Sequence, residues 1–184
     1  MVRSRRTPAP LDPPRLEELA LAYVARFATS RAKLEVYLAR KLRERGWDFA
    51  SPPRIDELAE RFVAAGYVDD LVYARSKTGS LMRRGYGMRR VGQALGAAGI
   101  GAEVREQVAP EEAQRRSAAL VMARKRRLGP FADGPAERTL REKQIAAMMR
   151  AGHALDHVLA LLDAASIEDA QQWARAEGEG ECEE

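Results

Sequence analysis

The sequence predicts an all-α protein built from three tandem three-helix repeats that form an elongated, curved body. From Pro14 on, nearly every segment has apolar residues at helical spacing, and no stretch alternates polar and apolar residues convincingly as a half-buried strand would. Three glycines, Gly46, Gly99 and Gly152, lie 53 residues apart, each four residues after an apolar side chain and directly before a larger residue. A helix that ends in a left-handed glycine has this pattern. Repeats of this size pack mainly on their neighbours, which predicts an extended surface for a protein or polymer ligand.

The first repeat is predicted at residues 14–68, after a basic tail, 1–13, that we expect to be disordered. Its second and third helices are expected to end at Gly46 and Gly66, because a glycine after an apolar run stops a helix. Its helices begin at places that suit a first turn or a cap, namely Pro14, Ser30 and Ser51-Pro52-Pro53.

The second repeat is predicted at residues 69–109. Asp69 or Asp70 is expected to cap its first helix, which ends before the sequence Gly85-Tyr86-Gly87. A short helix that ends at Gly99 follows, and another short helix completes the repeat.

The third repeat is predicted at residues 110–165. It opens with a long basic helix at 111–127, which the sequence Gly129-Pro130 breaks. A helix that ends at Gly152 and one further apolar helix follow. Residues 166–184 are expected to form a short helix and an acidic C-terminal tail.

Composition excludes several classes of protein. Hydrophobic residues make up 46% of the chain, but no apolar run approaches the ~20 residues that cross a bilayer. The first ten residues lack the apolar stretch of a secretory signal. The single cysteine, Cys182, excludes an intramolecular disulfide and a thiolate metal cluster within one chain. We therefore expect a cytoplasmic protein with no membrane contact.

The charge distribution predicts an anionic partner. The formal net charge is +4, yet five glutamates lie in the last eight residues. Without that tail the chain carries 31 basic and 22 acidic residues. A basic body of this kind favours a polyanion or an acidic protein surface, and the acidic tail is a candidate shield against wrong partners.

No catalytic, metal or cofactor site is predicted. No Gly-rich phosphate loop follows a strand. His153 and His157 are spaced like a metal-binding pair, but a helix start with His153 packed behind Gly152 explains them better. Adjacent Asp69 and Asp70 do not share a helix face, so a capping role is favoured over acid–base chemistry. An enzyme is therefore the remote alternative.

Clusters of basic residues are the remaining functional signal. The cluster at 83–90 brackets a turn, contains a tyrosine and has little acid nearby, so it could bind phosphates or an acidic protein. A solvated helix face explains the clusters at 40–45 and 138–150 equally well, and the helix dipole could account for the run at 124–127. The candidate partner-binding or DNA-binding residues are Arg40, Arg43, Arg83, Arg84, Tyr86, Arg89, Arg90, Lys125 and Arg126.

The motifs resemble those of the RecX family of bacterial recombinase regulators. The segment Gly-Tyr-Val-Asp-Asp-Leu-Val-Tyr-Ala at 66–74 is similar to a family signature. Family-like motifs also lie upstream, at 30–34 and 41–46, and downstream, at 84–100. The resemblance is strong over about residues 16–108 and weaker over 110–165. It implies three tandem three-helix units, in agreement with the glycine spacing.

The resemblance also implies a function. Members of the family are cytoplasmic proteins that bind RecA and lodge in the groove of the RecA–DNA filament. There they damp ATP hydrolysis, strand exchange and co-protease activity, and so regulate homologous recombination, DNA repair and the SOS response. Some also bind DNA. We expect a monomer without a cofactor, and the basic patches make single- or double-stranded DNA a further candidate partner.

The signature residues are expected to be mostly architectural. They are Gly66, Tyr67, Asp69, Asp70 and Tyr73, with Tyr67 packed behind Gly66 and Tyr73 in the core. The alternative from the charge pattern alone is a non-enzymatic, nucleic-acid-binding helical-repeat protein that has no RecA partner.

Overall fold

The computed structural model describes residues 9–134 and 137–176, and these residues confirm the all-α prediction. No strand forms among them, and one isolated parallel bridge joins Leu11 to Trp47. The helices are α1 (Pro13–Val24), α2 (Arg31–Arg45), α3 (Ile55–Ala64), α4 (Asp70–Arg83), α5 (Met88–Gly96), α6 (Ala102–Gln107), α7 (Glu112–Arg126), α8 (Arg138–Arg150), α9 (Leu155–Leu162) and α10 (Ile167–Arg175). A 3-10 turn at Gly129–Phe131 follows α7, where the sequence predicted a break.

The chain folds into two compact units. The first unit holds the residues up to Tyr73 together with Ala98–Ile100. The second unit holds Ala74–Ala97 and the residues from Gly101 onward. The predicted repeat boundaries at 68/69 and 109/110 fall in the connections between α3 and α4 and between α6 and α7.

The core of the first unit is built around α2. Leu34 and Leu38 of that helix are fully buried, and they pack with Leu58 and Phe62 of α3. Burial of an apolar side chain contributes about 1.5–3 kcal/mol, so these leucines account for much of the stability of the unit. The apolar residues that recur along α2 and α3 therefore belong to one shared core.

The expectation of disorder over 1–13 is wrong at the end of that segment. Leu11 is completely buried, its N–H donates to the carbonyl of Gly46 at 3.0 Å, and its carbonyl accepts from the N–H of Asp48 at 2.8 Å. Asp12 then caps α1 by accepting from the N–H of Arg15. A single leucine among prolines and arginines is little evidence for order in the sequence. In the structure, the burial of Leu11 holds this segment in place. Residues 1–8 and the acidic tail at 177–184 lie outside the described residues.

Tyr67 is a second correction. Gly66 takes φ of +75° after α3, and the N–H of Tyr67 donates to the carbonyl of Phe62 at 2.9 Å. The Tyr67 ring then lies against Phe62 at the surface, 58% exposed, and Val68 enters the core instead. The left-handed glycine reverses the chain, so the residue that follows covers the helix end from outside.

The second unit has a separate core around α7, α8 and α9. Met122 of α7 packs with Met148 of α8 and with Val158 and Leu161 of α9. The described end of the chain, α10, packs against α7 and buries Ala170. Ala and Leu make up most of the buried residues of this core, in keeping with the low aromatic content of the sequence.

The first unit contains a close helix junction at one of the three spaced glycines. This first junction joins Ser30–Ala32 to Ala98–Ile100. The hydroxyl of Ser30 donates to the carbonyl of Ala98 at 2.5 Å, and it also accepts from the N–H of Lys33, as an N-cap does. Gly99 takes φ of +73°, and a Cβ there would lie 2.3 Å from the Cβ of Ala32. Glycine is therefore required for the close approach.

The second unit contains a junction of the same kind, 53 residues further on. This second junction joins Gly87–Arg90 to Ala151–His153. The N–H of Gly87 donates to the carbonyl of Ala151 at 3.0 Å, and the N–H of Arg89 donates to that of Gly152 at 3.1 Å. Gly152 takes φ of +98°, and a Cβ there would lie 2.5 Å from the backbone nitrogen of Arg90. Two of the three spaced glycines, Gly99 and Gly152, thus share one packing arrangement, whereas a Cβ at Gly46 would meet nothing within 4 Å.

Candidate partner-binding surface

The turn after α4 is held rigidly in the second unit. Gly85 takes φ of +87°, and a Cβ there would lie 2.9 Å from the backbone nitrogen of Met122 in α7. The N–H of Tyr86 donates to the carbonyl of Leu81 at 3.1 Å, which closes the end of α4. The turn that carries the basic cluster is therefore fixed against α7 by backbone contacts.

This packing joins two basic clusters that are distant in the sequence. The guanidinium of Arg84 lies 5.5 Å from the ring centre of Tyr86. Lys125, at the end of α7, points its Nζ at the carbonyl of Arg84, 3.5 Å away. We call Arg84, Tyr86 and Lys125 the cationic surface. Both cations are exposed, and the phenol ring between two helix ends is half-buried.

The cations around this surface lack acidic partners. Among the described residues, no carboxylate lies within salt-bridge distance of Arg83, Arg84, Arg89, Arg90, Arg124, Lys125 or Arg126. All seven side chains belong to exposed residues. Unpaired exposed guanidinium groups suit bidentate binding of phosphate or carboxylate. The arrangement can therefore bind a polyanion or an acidic protein surface.

Arg89 and Arg90 at the start of α5 differ from the others in their structural role. The Arg89 guanidinium donates to the carbonyl of Met149 at 2.5 Å, so this side chain also ties α5 to the end of α8. The backbone of Arg90 lies against Gly152. Substitution of Arg89 would therefore disturb the second junction as well as any partner contact.

Two predicted candidates lie in the first unit. Arg40 is paired with Glu44 at 3.7 Å and lies over the ring of Tyr37. A hydrogen bond from Lys41 lowers the pKa of Glu44, which keeps this carboxylate charged beside the arginines. Arg43 on the same helix is exposed. The charge of this patch on α2 is thus partly neutralised, unlike that of the cationic surface.

The signature residues around 66–74 hold the first unit together. Asp69 accepts from the N–H of Val72 at 2.9 Å and so caps α4. Asp70 accepts from the N–H of Arg31 at 2.8 Å, which caps α2 from a distant part of the sequence. Tyr73 is 8% exposed, and its hydroxyl accepts from the Nζ of Lys33 at 3.3 Å. Of these groups, sequence reasoning missed the cap that Asp70 gives to α2.

The two histidines have structural partners. His153 is buried, and its Nε2 lies 3.0 Å from the carbonyl of Gly85. Burial lowers the pKa of His153, so the neutral ring donates to that carbonyl. His157 has its Nε2 2.6 Å from Glu112. Although burial opposes it, hydrogen bonds from His157 and Arg116 lower the pKa of Glu112.

The described residues contain no group of three or more side chains that could hold a metal ion. Nor is any helix in this part of the chain long and apolar enough to cross a membrane. Two arginines of the long basic helix have aromatic contacts that the sequence did not predict, since Arg116 lies over Trp173 and Arg124 over Phe131. For Arg116 the sequence held one signal, its i,i+4 spacing from Glu112, which predicts an ion pair along the helix.

Comparison with known proteins identifies the family. A family model described as RecX, second three-helix domain, matches residues 69–108, which contain α4, α5 and α6. A regulatory protein RecX from Myxococcus xanthus is 33% identical over 160 residues, which cover 82% of this chain and 85% of the relative. A second relative with the same name, from Deinococcus radiodurans, is 35% identical over 111 residues and is matched over 52% of its length.

The fold has a counterpart among solved structures. The crystal structure of RecX from Lactobacillus salivarius superposes with a TM-score of 0.65 at 18% identity, over 82% of this chain and 96% of that one. This likeness supports the three-helix repeat architecture that the glycine spacing predicted. The 33% identity to the Myxococcus xanthus relative, over 85% of that protein, shows that the chain belongs to the RecX family.

Proposed function

We propose that the protein binds RecA and lodges in the groove of the RecA–DNA filament. There it mainly inhibits ATP hydrolysis, strand exchange and co-protease activity, and so regulates recombination, DNA repair and the SOS response. It acts in the cytoplasm as a monomer, by stoichiometric binding rather than by catalysis. Membership of the RecX family and the regulatory name of the relatives support this proposal.

The observation that carries the proposal is the set of unpaired cations around the cationic surface. The DNA of a RecA–DNA filament carries phosphates that form a polyanionic target for such cations. Arg84 and Lys125 can approach such groups without first breaking an ion pair, because no carboxylate among the described residues holds them. Contacts of this kind release counterions, so binding should weaken with added salt.

The same cations support a second candidate, a protein that binds nucleic acid without RecA. Tyr86 beside Arg84 offers an aromatic face and a cation to an unstacked base. A direct comparison of binding to filaments and to naked DNA separates the two candidates.

The test is co-sedimentation with preformed RecA–ssDNA filaments at roughly physiological ionic strength, with naked ssDNA as the control. We expect tight binding to filaments, weak binding to naked DNA, and inhibition of the ATPase of RecA. Equal binding to both that collapses with salt would favour the nucleic-acid candidate. Absence of binding to filaments would contradict the proposal.

A charge-reversed variant tests the residues. Arg84→Glu with Lys125→Glu should bind filaments about tenfold or more weakly, because two charged contacts become repulsive. The matched control is Arg138→Glu with Lys143→Glu, which makes the same change of charge at exposed positions of α8. If both double variants lose affinity equally, the cationic surface has no specific role.

A further inference from the structure

A groove of about 500 Å³ lies in the second unit between α4, the end of α6 and α7. Met82, Val108 and Val121 give it an apolar lining, and Arg75 and Arg83 of α4 stand beside them with exposed side chains. This volume can hold a small cluster of side chains or a short segment of a ligand. None of the residues proposed for the cationic surface lines it.

The groove contains a buried hydroxyl without a partner. Thr78 is 6% exposed and lines the groove, and its Oγ1 has no hydrogen bond. Among the residues that the structure describes, it is the one buried side-chain polar atom without a hydrogen-bond partner. Buried polar groups in native proteins nearly always have a partner, so the hydrogen bonding in this wall of the groove is incomplete.

A glycine inside α4 shapes the same site. Glycine is unfavourable in the interior of a helix, so Gly79 requires a structural reason. The Arg83 guanidinium lies back along α4 over this glycine, with Nη1 only 3.0 Å from where a Cβ at Gly79 would be. Arg75 lies two helical turns before Arg83, and neither has a carboxylate within salt-bridge distance among the described residues.

We propose that this groove binds a segment of the partner protein that carries an apolar side chain and a nearby carboxylate. The apolar side chain fills the lining, and the carboxylate pairs with Arg75 or Arg83. A protein segment fits better than a nucleic-acid backbone, because phosphates would have to lie on the apolar lining. The inference rests on the proposed function, since RecA in its filament is the partner that supplies the segment.

Two variants of the full chain test the groove. Ser117→Leu places an apolar side chain into it from α7, and Arg75→Glu reverses the charge beside it. Matched controls are Ser76→Leu, an exposed serine of α4 outside the lining, and Lys143→Glu, an exposed lysine of α8. We expect both groove variants to bind RecA–ssDNA filaments about tenfold more weakly, the loss of one central interface contact, and the controls to bind like wild type.

The outcomes separate this inference from the proposed function. If wild type binds filaments and both groove variants bind as tightly, the groove inference is wrong and the proposed function stands. If wild type does not bind filaments, the proposed function itself fails. Circular dichroism of each variant checks that helix content is retained.

A second measurement does not depend on a loss of affinity. A photo-crosslinking amino acid in place of Ser76, which follows Arg75 in α4 but lies outside the lining, should attach to a carboxylate-bearing segment of RecA when filaments are irradiated. Crosslinks only to DNA, only to residues 177–184 of the protein itself, or to nothing would overturn the inference.

Discussion

The first junction uses a side chain where the second uses the backbone. At the first, the hydroxyl of Ser30 binds the carbonyl of Ala98 and also caps α2. At the second, the N–H of Gly87 binds the carbonyl of Ala151, and no side chain caps α5. The shared requirement is the left-handed glycine that lets a helix end approach another helix start. The spacing of the glycines can therefore be the same in repeats whose other residues mostly differ.

The capping of the two helix starts also differs. The N–H of Arg31 in α2 is satisfied by the carboxylate of Asp70, whereas that of Arg89 in α5 is satisfied by the carbonyl of Gly152. A charged acceptor is stronger than a neutral one. The first junction thus depends on two polar side chains, and the second depends on close backbone packing.

The largest expected effect comes from alanine at the glycine of the second junction. Gly152→Ala should destabilise the protein by roughly 3 kcal/mol or more, since a left-handed φ and a backbone clash with Arg90 add together. Gly66→Ala, where φ is +75° at the end of α3 and nothing lies within 4 Å of the new Cβ, should cost only about 1 kcal/mol. Urea denaturation measures both. Equal losses would show that close packing does not distinguish the second junction.

Removal of the hydroxyl tests the first junction. Ser30→Ala should cost about 2 kcal/mol, because a helix loses its cap and the carbonyl of Ala98 loses its partner. Ser166→Ala is the control, a helix cap at α10 whose hydroxyl reaches only Asp169, and it should cost about 1 kcal/mol. Thermal or urea unfolding compares the two, and a Ser30 effect no larger than the control would refute the buried hydrogen bond.

The carboxylate at the first junction should have a smaller effect. Asp70→Ala should lower the stability by about 1 kcal/mol, because it exposes the N–H at the positive end of the α2 dipole. Asp70→Asn keeps an acceptor and should recover part of that loss. If asparagine is as destabilising as alanine, the charge rather than the hydrogen bond caps α2.

The smallest effect is a difference in pH dependence between the junctions. His153 stands in the second junction where Ile100 stands in the first, and burial lowers its pKa. In the unfolded chain this histidine has its ordinary pKa of about 6.5, so acid protonates the unfolded state first. The free energy of unfolding is therefore highest above about pH 6.5 and falls as the pH drops below that value. His153→Ile should flatten this decline between about pH 7 and 5.5 in melting curves. Glu112 titrates below that window. An unchanged slope would contradict the role of His153.

Local rules predicted much of the fold from the sequence. The glycine-terminated helices and the Ser30 cap follow from the preferences of single residues. Contacts between distant segments had no such signal, and the cap that Asp70 gives to α2 depends on packing across 39 residues. Tyr67 was predicted to pack behind Gly66. An aromatic residue after a helix end can also cover that end from the solvent side, as Tyr67 does against Phe62.

The candidate site shows the same limit. The sequence identified the basic clusters at 83–90 and 124–127 but treated them separately. Only the packing of the Gly85 turn against Met122 brings Arg84 and Lys125 together. The groove beside Thr78 had no sequence signal except a glycine inside a predicted helix.

The salt dependence of filament binding tests the central claim most directly. The affinity for RecA–ssDNA filaments would be measured over a range of salt for wild type and for Arg84→Glu with Lys125→Glu. If these cations bind the filament, the wild-type affinity falls steeply with salt, and the variant has a shallower slope, by about one unit for each lost phosphate contact. The same slope and affinity in both proteins would contradict the claim that the cationic surface binds the filament.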